Sequence, residues 1–191
     1  IKTGDVSEAP RLEAMLSHTI QSNKEREMAY VRQATHDALT GCKNRRAFDS
    51  DIAELLNAQQ PFAMALVDID NFKSINDTLG HLTGDIVLRN VAREGIQIMQ
   101  PHHVSVYRYG GEEFAVIFQA EQMSSALSLL EAWRTAVEKR VWREENLRVT
   151  FSGGLGEWHF EPLEQFVGSV DNALYSAKQQ GKNRIVRTSI S

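Results

Sequence analysis

Arg108-Tyr109-Gly110-Gly111-Glu112-Glu113-Phe114 reads as the tip of a β-hairpin carrying two adjacent carboxylates. Its flanks, Val104-Ser105-Val106-Tyr107 and Phe114-Ala115-Val116-Ile117-Phe118, are β-branched and aromatic runs, and a Gly-Gly pair between two such runs is a hairpin signal. Glycines also let a backbone approach a ligand where a Cβ would clash, and neighbouring carboxylates are hard oxygen ligands for Mg²⁺. Taken alone, the stretch fits a bare turn and a metal-phosphate site equally well, because so short a motif recurs by chance.

Residues 61–70 read as a buried strand ending in Asp68-Ile69-Asp70. Asp68 and Asp70 then share one face and Ile69 takes the other, at the C-terminal end where ligands collect in α/β sheets. Asp70 is expected to cap the helix that follows. Asp68 joins Glu112 and Glu113 as a hard-oxygen cluster able to hold two Mg²⁺ with help from substrate phosphates, an arrangement suited to phosphoryl transfer. Lys73 and Asn76 share a face of a short helix at i, i+3. Asn76 offers a donor and acceptors, while Asp85, in or near the first turn of the next helix, offers acceptors only. A carboxylate and an amide complement the N–H donors of a guanine edge; Asp85 equally suits a helix N-terminus. Lys178 and Lys182, i, i+4 around a helix end, suit either a triphosphate or the negative end of that helix.

The rest of the chain alternates helical and extended patterns, as an α/β or α+β domain would. Residues 45–58 form an amphipathic pattern on Phe48, Ile52, Leu55 and Leu56, a short helix carries Phe72, Ile75 and Leu79, and a longer one carries Leu88, Val91, Ala92 and Gly95. A helix through Ala126, Leu129, Leu130, Trp133 and Val137, a strand over 148–155, a helix over 163–177 and a short strand over 184–186 follow. Before all of these, Leu12, Met15, Leu16, Ile20, Tyr30 and Val31 fall on a repeat of about 3.5 residues, the spacing of a coiled-coil seam. The pattern predicts a helix from about 10 to about 35, paired in parallel with a second copy rather than folded back, since it has no second apolar face.

At 191 residues the chain fits one compact domain with an appendage, and its 42% apolar and 24% charged composition excludes disorder and membrane burial. A net charge of −4 gives no footprint for nucleic acid, yet a few local Lys or Arg suffice for a nucleotide. The single cysteine, Cys42, allows no intrachain disulfide, fits a reducing compartment and is expected to pack as a small residue. No run has the length of a membrane segment and no signal-peptide pattern opens the chain. The opening Ile1 leads to the expectation of a cytoplasmic piece of a longer protein, whose missing N-terminal part would hold any sensor or membrane anchor.

With these residues in view, a resemblance becomes legible. His36-Asp37-Ala38-Leu39-Thr40-Gly41-Cys42-Lys43-Asn44-Arg45-Arg46-Ala47-Phe48 resembles the D-x-L-T-G-L-x-N-R-R-x-F opening of GGDEF domains, the catalytic domains of diguanylate cyclases. Val67-Asp68-Ile69-Asp70-Asn71-Phe72-Lys73-Ser74-Ile75-Asn76-Asp77, with Gly80-His81 and Gly84-Asp85, is similar to that family's F-D-I-D-x-F-K-x-I-N-D-x-x-G-H-x-x-G-D. Gly110-Gly111-Glu112-Glu113-Phe114 resembles the signature in its GGEEF form. Asp171-Asn172-Ala173-Leu174-Tyr175-Ser176-Ala177-Lys178, then Gly181-Lys182-Asn183-Arg184, resembles the closing A-D-x-A-L-Y-x-A-K and G-(K/R)-N-R. The likeness runs in order from residue 36 to about 187, which divides the chain into an N-terminal signalling helix over 1–35, a possible coiled coil, and a catalytic domain over 36–191.

The resemblance implies an α+β, palm-like nucleotidyl-cyclase fold: a central antiparallel sheet of about five strands flanked by helices and preceded by an N-terminal helix. It implies condensation of two GTP into cyclic di-GMP and two pyrophosphates, with Mg²⁺ or Mn²⁺, two ions per half-site. Carried over, Asp68, the Ile69 carbonyl and Glu112 match the metal ligands, with Glu113 at or beside them, and either Glu112 or Glu113 helps deprotonate the attacking 3′-hydroxyl. Asn76 and Asp85 match the guanine readers, Leu88 the base pocket, Lys73, Lys178 and Lys182 the phosphate contacts, and Gly110 and Gly111 the approach to the triphosphate. Each copy holds one GTP, so a homodimer of half-sites is required, and the N-terminal helix would connect it to an upstream sensor. The chain departs from the pattern in three places. Pro101-His102-His103-Val104 replaces the R-x-x-D of product-inhibited members, Cys42 replaces a Leu beside the guanine pocket, and Ser152-Gly153-Gly154 replaces S-x-G. A silent GTP-binding or dimerisation module is the alternative reading; the retained Asp68, Gly110, Gly111, Glu112 and Glu113 favour the enzyme.

Overall fold

The computed structural model describes residues 8–189 and divides into two compact units, Ile1–Thr35 and His36–Ser191. In the first, α1 (Glu8–Thr35) is a 28-residue helix with no buried residue. Glu8 in its first turn and Arg32 in its last complement the helix dipole. Leu12, Met15, Leu16, Ile20, Tyr30 and Val31 are each more than half exposed. Among the described residues, no helix is long and apolar enough to cross a membrane.

In the second unit a five-stranded sheet carries helices on both faces. The elements run α2 (Arg45–Asn57), β1 (Phe62–Ile69), α3 (Phe72–Leu79), α4 (His81–Met99), β2 (Ser105–Arg108), β3 (Glu113–Gln119), α5 (Ala126–Lys139), β4 (Phe151–Glu157), α6 (Leu163–Gln179) and β5 (Ile185–Arg187), in sheet order β2-β3-β1-β4-β5. Alternation along β1 divides the core. Ala63, Ala65, Val67 and Ile69 join Val87 and Val91 of α4 and Leu130 and Trp133 of α5 on one face. Phe62, Met64 and Leu66 meet Phe48 and Ile52 of α2 and Phe166 and Val170 of α6 on the other. Asn44 starts α2 by accepting the Ala47 amide at 2.9 Å, and burial of Ala47, Phe48, Ile52 and Leu55 at helical spacing seats that helix.

The sheet is mixed rather than wholly antiparallel. β1 pairs antiparallel with β3 and β4, and β2 with β3, but β5 runs parallel to β4, because α6 crosses between them. β4 begins at Phe151 rather than 148, although Val149 is already buried. Gly154 on β4 explains part of the Ser152-Gly153-Gly154 variation: a Cβ there would stand 2.2 Å from the Val170 carbonyl oxygen, so the backbones of β4 and α6 are in contact. The hairpin between β2 and β3 forms as expected, closed by the Tyr109 amide donating to the Glu113 carbonyl at 2.8 Å. Neither Gly110 nor Gly111 takes positive φ. What Gly110 provides is room, since a Cβ on it would lie 2.8 Å from Glu113 Oε2.

Candidate active site

The register of β1 and β3 sets Asp68 opposite Glu113, and the Ile69 amide donates to the Glu112 carbonyl at 3.3 Å. Asp68 and Asp70 point to the α6 side, where Lys178 Nζ donates to Asp68 Oδ1 at 2.5 Å, the Asp68 carbonyl at 3.2 Å and Asp70 Oδ1 at 2.9 Å. Asp70 is only 3% exposed. It also accepts from Ser152 Oγ at 2.7 Å, Thr150 Oγ1 at 2.8 Å and the Asn183 amide at 3.0 Å. The expected cap is therefore absent: Asn71, at φ 55, precedes α3 with no side-chain cap bond, and Asp70 is instead a buried strut joining β1, β4 and the chain after α6.

Burial raises the pKa of Asp70, but hydrogen bonds from Lys178, Ser152 and Thr150 outweigh it and hold the group below its ordinary value. At Asp68 burial prevails over Lys178, with Glu112 and Asp70 adding repulsion, so its pKa rises. Glu113 is raised too, by burial first and then by Asp68, Asp171 and Glu112, against Arg45. Carboxylates that burial and mutual repulsion set against their own charge are the donor set a divalent cation relieves, so the residues fit such an ion. Among the described residues no three His, Cys, Asp or Glu side chains form a finished cage. Mg²⁺ suits that arrangement, since it is commonly held by one or two carboxylates together with substrate phosphates.

The hairpin tip is clamped from both sides. Arg108 donates through Nη1 to Asp37 Oδ1 and Oδ2 at 3.2 and 3.1 Å, and through Nη2 to the Gly111 carbonyl at 2.9 Å. Asp37 also accepts from the Thr40 amide at 2.9 Å and Thr40 Oγ1 at 2.7 Å. Burial raises its pKa, yet the Thr40 bonds and Arg108 together bring it below the ordinary value. Arg45 lies 3.8 Å from the Tyr109 ring centroid, and Phe48 packs edge-on against the same ring. Sequence reasoning gave Arg108, Asp37 and Arg45 no role. Asp37 and Arg108 are 71 positions apart, and only paired variation among homologues would have linked them.

Asn76 and Asp85 flank the junction of α3 and α4. Asn76 Oδ1 is buried and has no hydrogen-bond partner. It lies directly over Gly84, where a Cβ would come within 1.8 Å of it. Asp85, half-buried, is the fifth residue of α4 and so lies just past its first turn, near where the pattern predicts it, because Gly80, at φ 87, lets the helix begin at His81. Leu88 is 3% exposed and belongs to the core cluster that includes Cys42, against which Leu39 and Phe72 pack. Burial pushes the Cys42 thiol up to about 12. Lys73 is exposed on α3. Lys178 and Lys182 stand on either side of the helix end, as their spacing predicts: α6 ends at Gln179, Gly181 turns at φ 114, and Lys182 Nζ reaches Asn71 Oδ1 at 2.5 Å. Both lysines nonetheless converge on the segment from Asp68 to Asn71.

The family profile described as "Diguanylate cyclase, GGDEF domain" matches residues 34–184. Diguanylate cyclase VdcA of Vibrio cholerae is 37% identical over 169 residues, 85% of this chain and 50% of its own. Diguanylate cyclase DgcM of Escherichia coli is 35% identical over 187 residues, 95% of this chain and 42% of its own. The chain thus spans half or less of the length of these two relatives. Among solved structures, the coiled coil and GGDEF domain of DgcB from Caulobacter crescentus, in complex with c-di-GMP, superposes with a TM-score of 0.78 at 34% identity, covering 93% of this chain and 99% of that one. The active GGEEF domain of a diguanylate cyclase from Vibrio cholerae gives a TM-score of 0.70 at 31% identity, covering 78% and 99%. The retained signature on its hairpin, the mixed sheet behind it and these matches make the chain a member of the GGDEF-domain family.

Proposed function

We propose that the chain is one half of a diguanylate cyclase: each copy binds one GTP, and two facing copies condense two GTP into cyclic di-GMP with release of two pyrophosphates. The observation that carries this reading is the opposition of Asp68 and Glu113 across β1 and β3 beside Lys178. Asp68, the Ile69 carbonyl and Glu112 would hold two Mg²⁺, or Mn²⁺ in their place, with Glu113 at or beside them. When bound, the ions neutralise phosphate charge and lower the pKa of the attacking hydroxyl. The chain's own residues bind and orient. Lys178 and Lys182, already gathered at the end of β1, contact the triphosphate together with Lys73, and Gly110 and Gly111 let the hairpin approach it. Asn76, with an unsatisfied acceptor, and Asp85 read the guanine N–H groups, with Leu88 behind the base. The proton leaving the 3′-hydroxyl passes to the Glu112–Glu113 pair.

Neither GTP can close the twelve-membered product alone, because each supplies one 3′-hydroxyl and one α-phosphate. A homodimer is therefore the catalytic unit, and the unburied apolar residues of α1 support a parallel helix pair that brings two domains together and relays the state of a sensor. The GTP pool places the reaction in the cytoplasm. Incubation with GTP and Mg²⁺ followed by separation of products is expected to yield cyclic di-GMP, and Glu113→Gln to slow its formation by about 100-fold or more. Absence of cyclic di-GMP from the unaltered, dimeric chain overturns the reading.

A further inference from the structure

We infer that Lys178 is a placeholder cation, whose ammonium holds the Asp68 carboxylate until nucleotide draws it away, so that divalent cation and nucleotide bind interdependently with Asp70 as the fixed anchor. The inference rests on the metal and GTP reading of Asp68 proposed above. An ammonium has three donors, and Lys178 directs bonds to three acceptors at this one spot: Asp68 Oδ1, the Asp68 carbonyl and Asp70 Oδ1. The two carboxylates are unequal. The Asp70 side chain is 1% exposed and tied to Ser152, Thr150 and Asn183, whereas that of Asp68 is 22% exposed. Only Asp68 is open to an ion arriving from solvent.

A divalent cation reaching Asp68 meets a positive charge already bonded to it, and must dislodge that charge. Lys178 keeps its bond to Asp70 meanwhile, so it pivots on a fixed point. A triphosphate changes the balance twice over, offering Lys178 a new anion and the metal new oxygen ligands. Each ligand thus removes an obstacle to the other, and the coupling is reciprocal.

The test measures Mn²⁺ binding by electron paramagnetic resonance, with and without 3′-deoxy-GTP, a probe lacking the attacking hydroxyl. Without nucleotide, Lys178→Met is expected to bind Mn²⁺ about tenfold more tightly than the wild type, a modest share of the repulsion between charges at contact distance. Lys178→Arg, which keeps the charge, is expected to stay at the wild-type affinity. With 3′-deoxy-GTP present, the advantage of Lys178→Met disappears or reverses. The wild type gives a reading that needs no stable variant: the ¹⁵N ammonium resonance of Lys178 shifts on addition of Mg²⁺ alone. Equal nucleotide-free Mn²⁺ affinity in wild type and Lys178→Met, or an unmoved resonance in a chain that binds Mg²⁺, overturns the placeholder and leaves the site reading intact. Failure of every form to bind Mn²⁺ even with nucleotide overturns both.

Discussion

Asp37 and Arg108 show how a residue without chemistry of its own can set where the chemistry stands. The Arg108 guanidinium spends two of its bonds on Asp37 and the rest on the carbonyls of Gly110 and Gly111, the residues immediately before the two signature glutamates. The pair is largely shielded, with side chains 19% and 23% exposed, so its charge-assisted bonds are not those of a loose surface ion pair. Because Asp37 titrates below its ordinary value in the folded chain, its contribution is fully present above the unfolded carboxylate pKa and fades as pH falls through the folded one. Asp37→Asn is expected to cost about 1–3 kcal/mol at pH 7, with the gap from wild type closing as pH falls from about 4 downward. Urea melts of both proteins at pH 7, 5 and 3.5 measure this; a gap that stays constant over that range contradicts the assignment.

At the scale of elements, the α3–α4 corner makes a sharper demand than its sequence advertises. Gly84 is an interior residue of α4, where Ala would normally be favoured by about 1 kcal/mol. Its missing Cβ is the space taken by Asn76 Oδ1. Gly84→Ala is therefore expected to leave the melting temperature near wild type while expelling Asn76 from its place. GTP binding would weaken by about tenfold, the worth of one hydrogen bond to the base. Unchanged affinity in a folded Gly84→Ala protein would show that Asn76 does not read guanine. Much of the fold was legible beforehand, because the helices and the strands β1 and β3 carry long periodic patterns that one residue cannot disguise. β5 has three residues, too few to encode whether its neighbour runs parallel or antiparallel. The site was legible in its residue types rather than its contacts. Asp70 looked like a cap because its acceptors precede a helix, and nothing nearby in sequence announced Ser152 or Asn183 as donors. Lys178 and Lys182 were legible as cations about a helix end, but not their targets, because the turn through Gly181 that aims Lys182 at Asn71 is set by backbone conformation rather than by pattern.

For the whole molecule, the proposed reaction makes one quantity decisive, how often two half-sites meet. The second unit presents Asp68, Glu112 and Glu113 at the end of a sheet, and on the proposed reaction that set completes only half of each ring closure. α1 contributes no residue to a core of its own, and its apolar side chains lie open along its length. Pairing such helices converts the meeting of two catalytic units into an intramolecular event, at an effective concentration that reaches the millimolar range for short connections. Deletion of residues 1–34 leaves the second unit with all its sheet pairings, so the truncated protein should fold and bind GTP as before. On the proposed pairing, what it loses is the second copy. Its specific activity should fall steeply on dilution, as that of a bimolecular reaction does, while the longer chain holds its activity over the same range until its helices dissociate. At high protein concentration the two should converge. A dilution series of both proteins, read as cyclic di-GMP formed per unit of protein, measures this directly. Truncated chains that keep constant specific activity across the series would mean that the catalytic units associate by their own surfaces and that α1 has some other task.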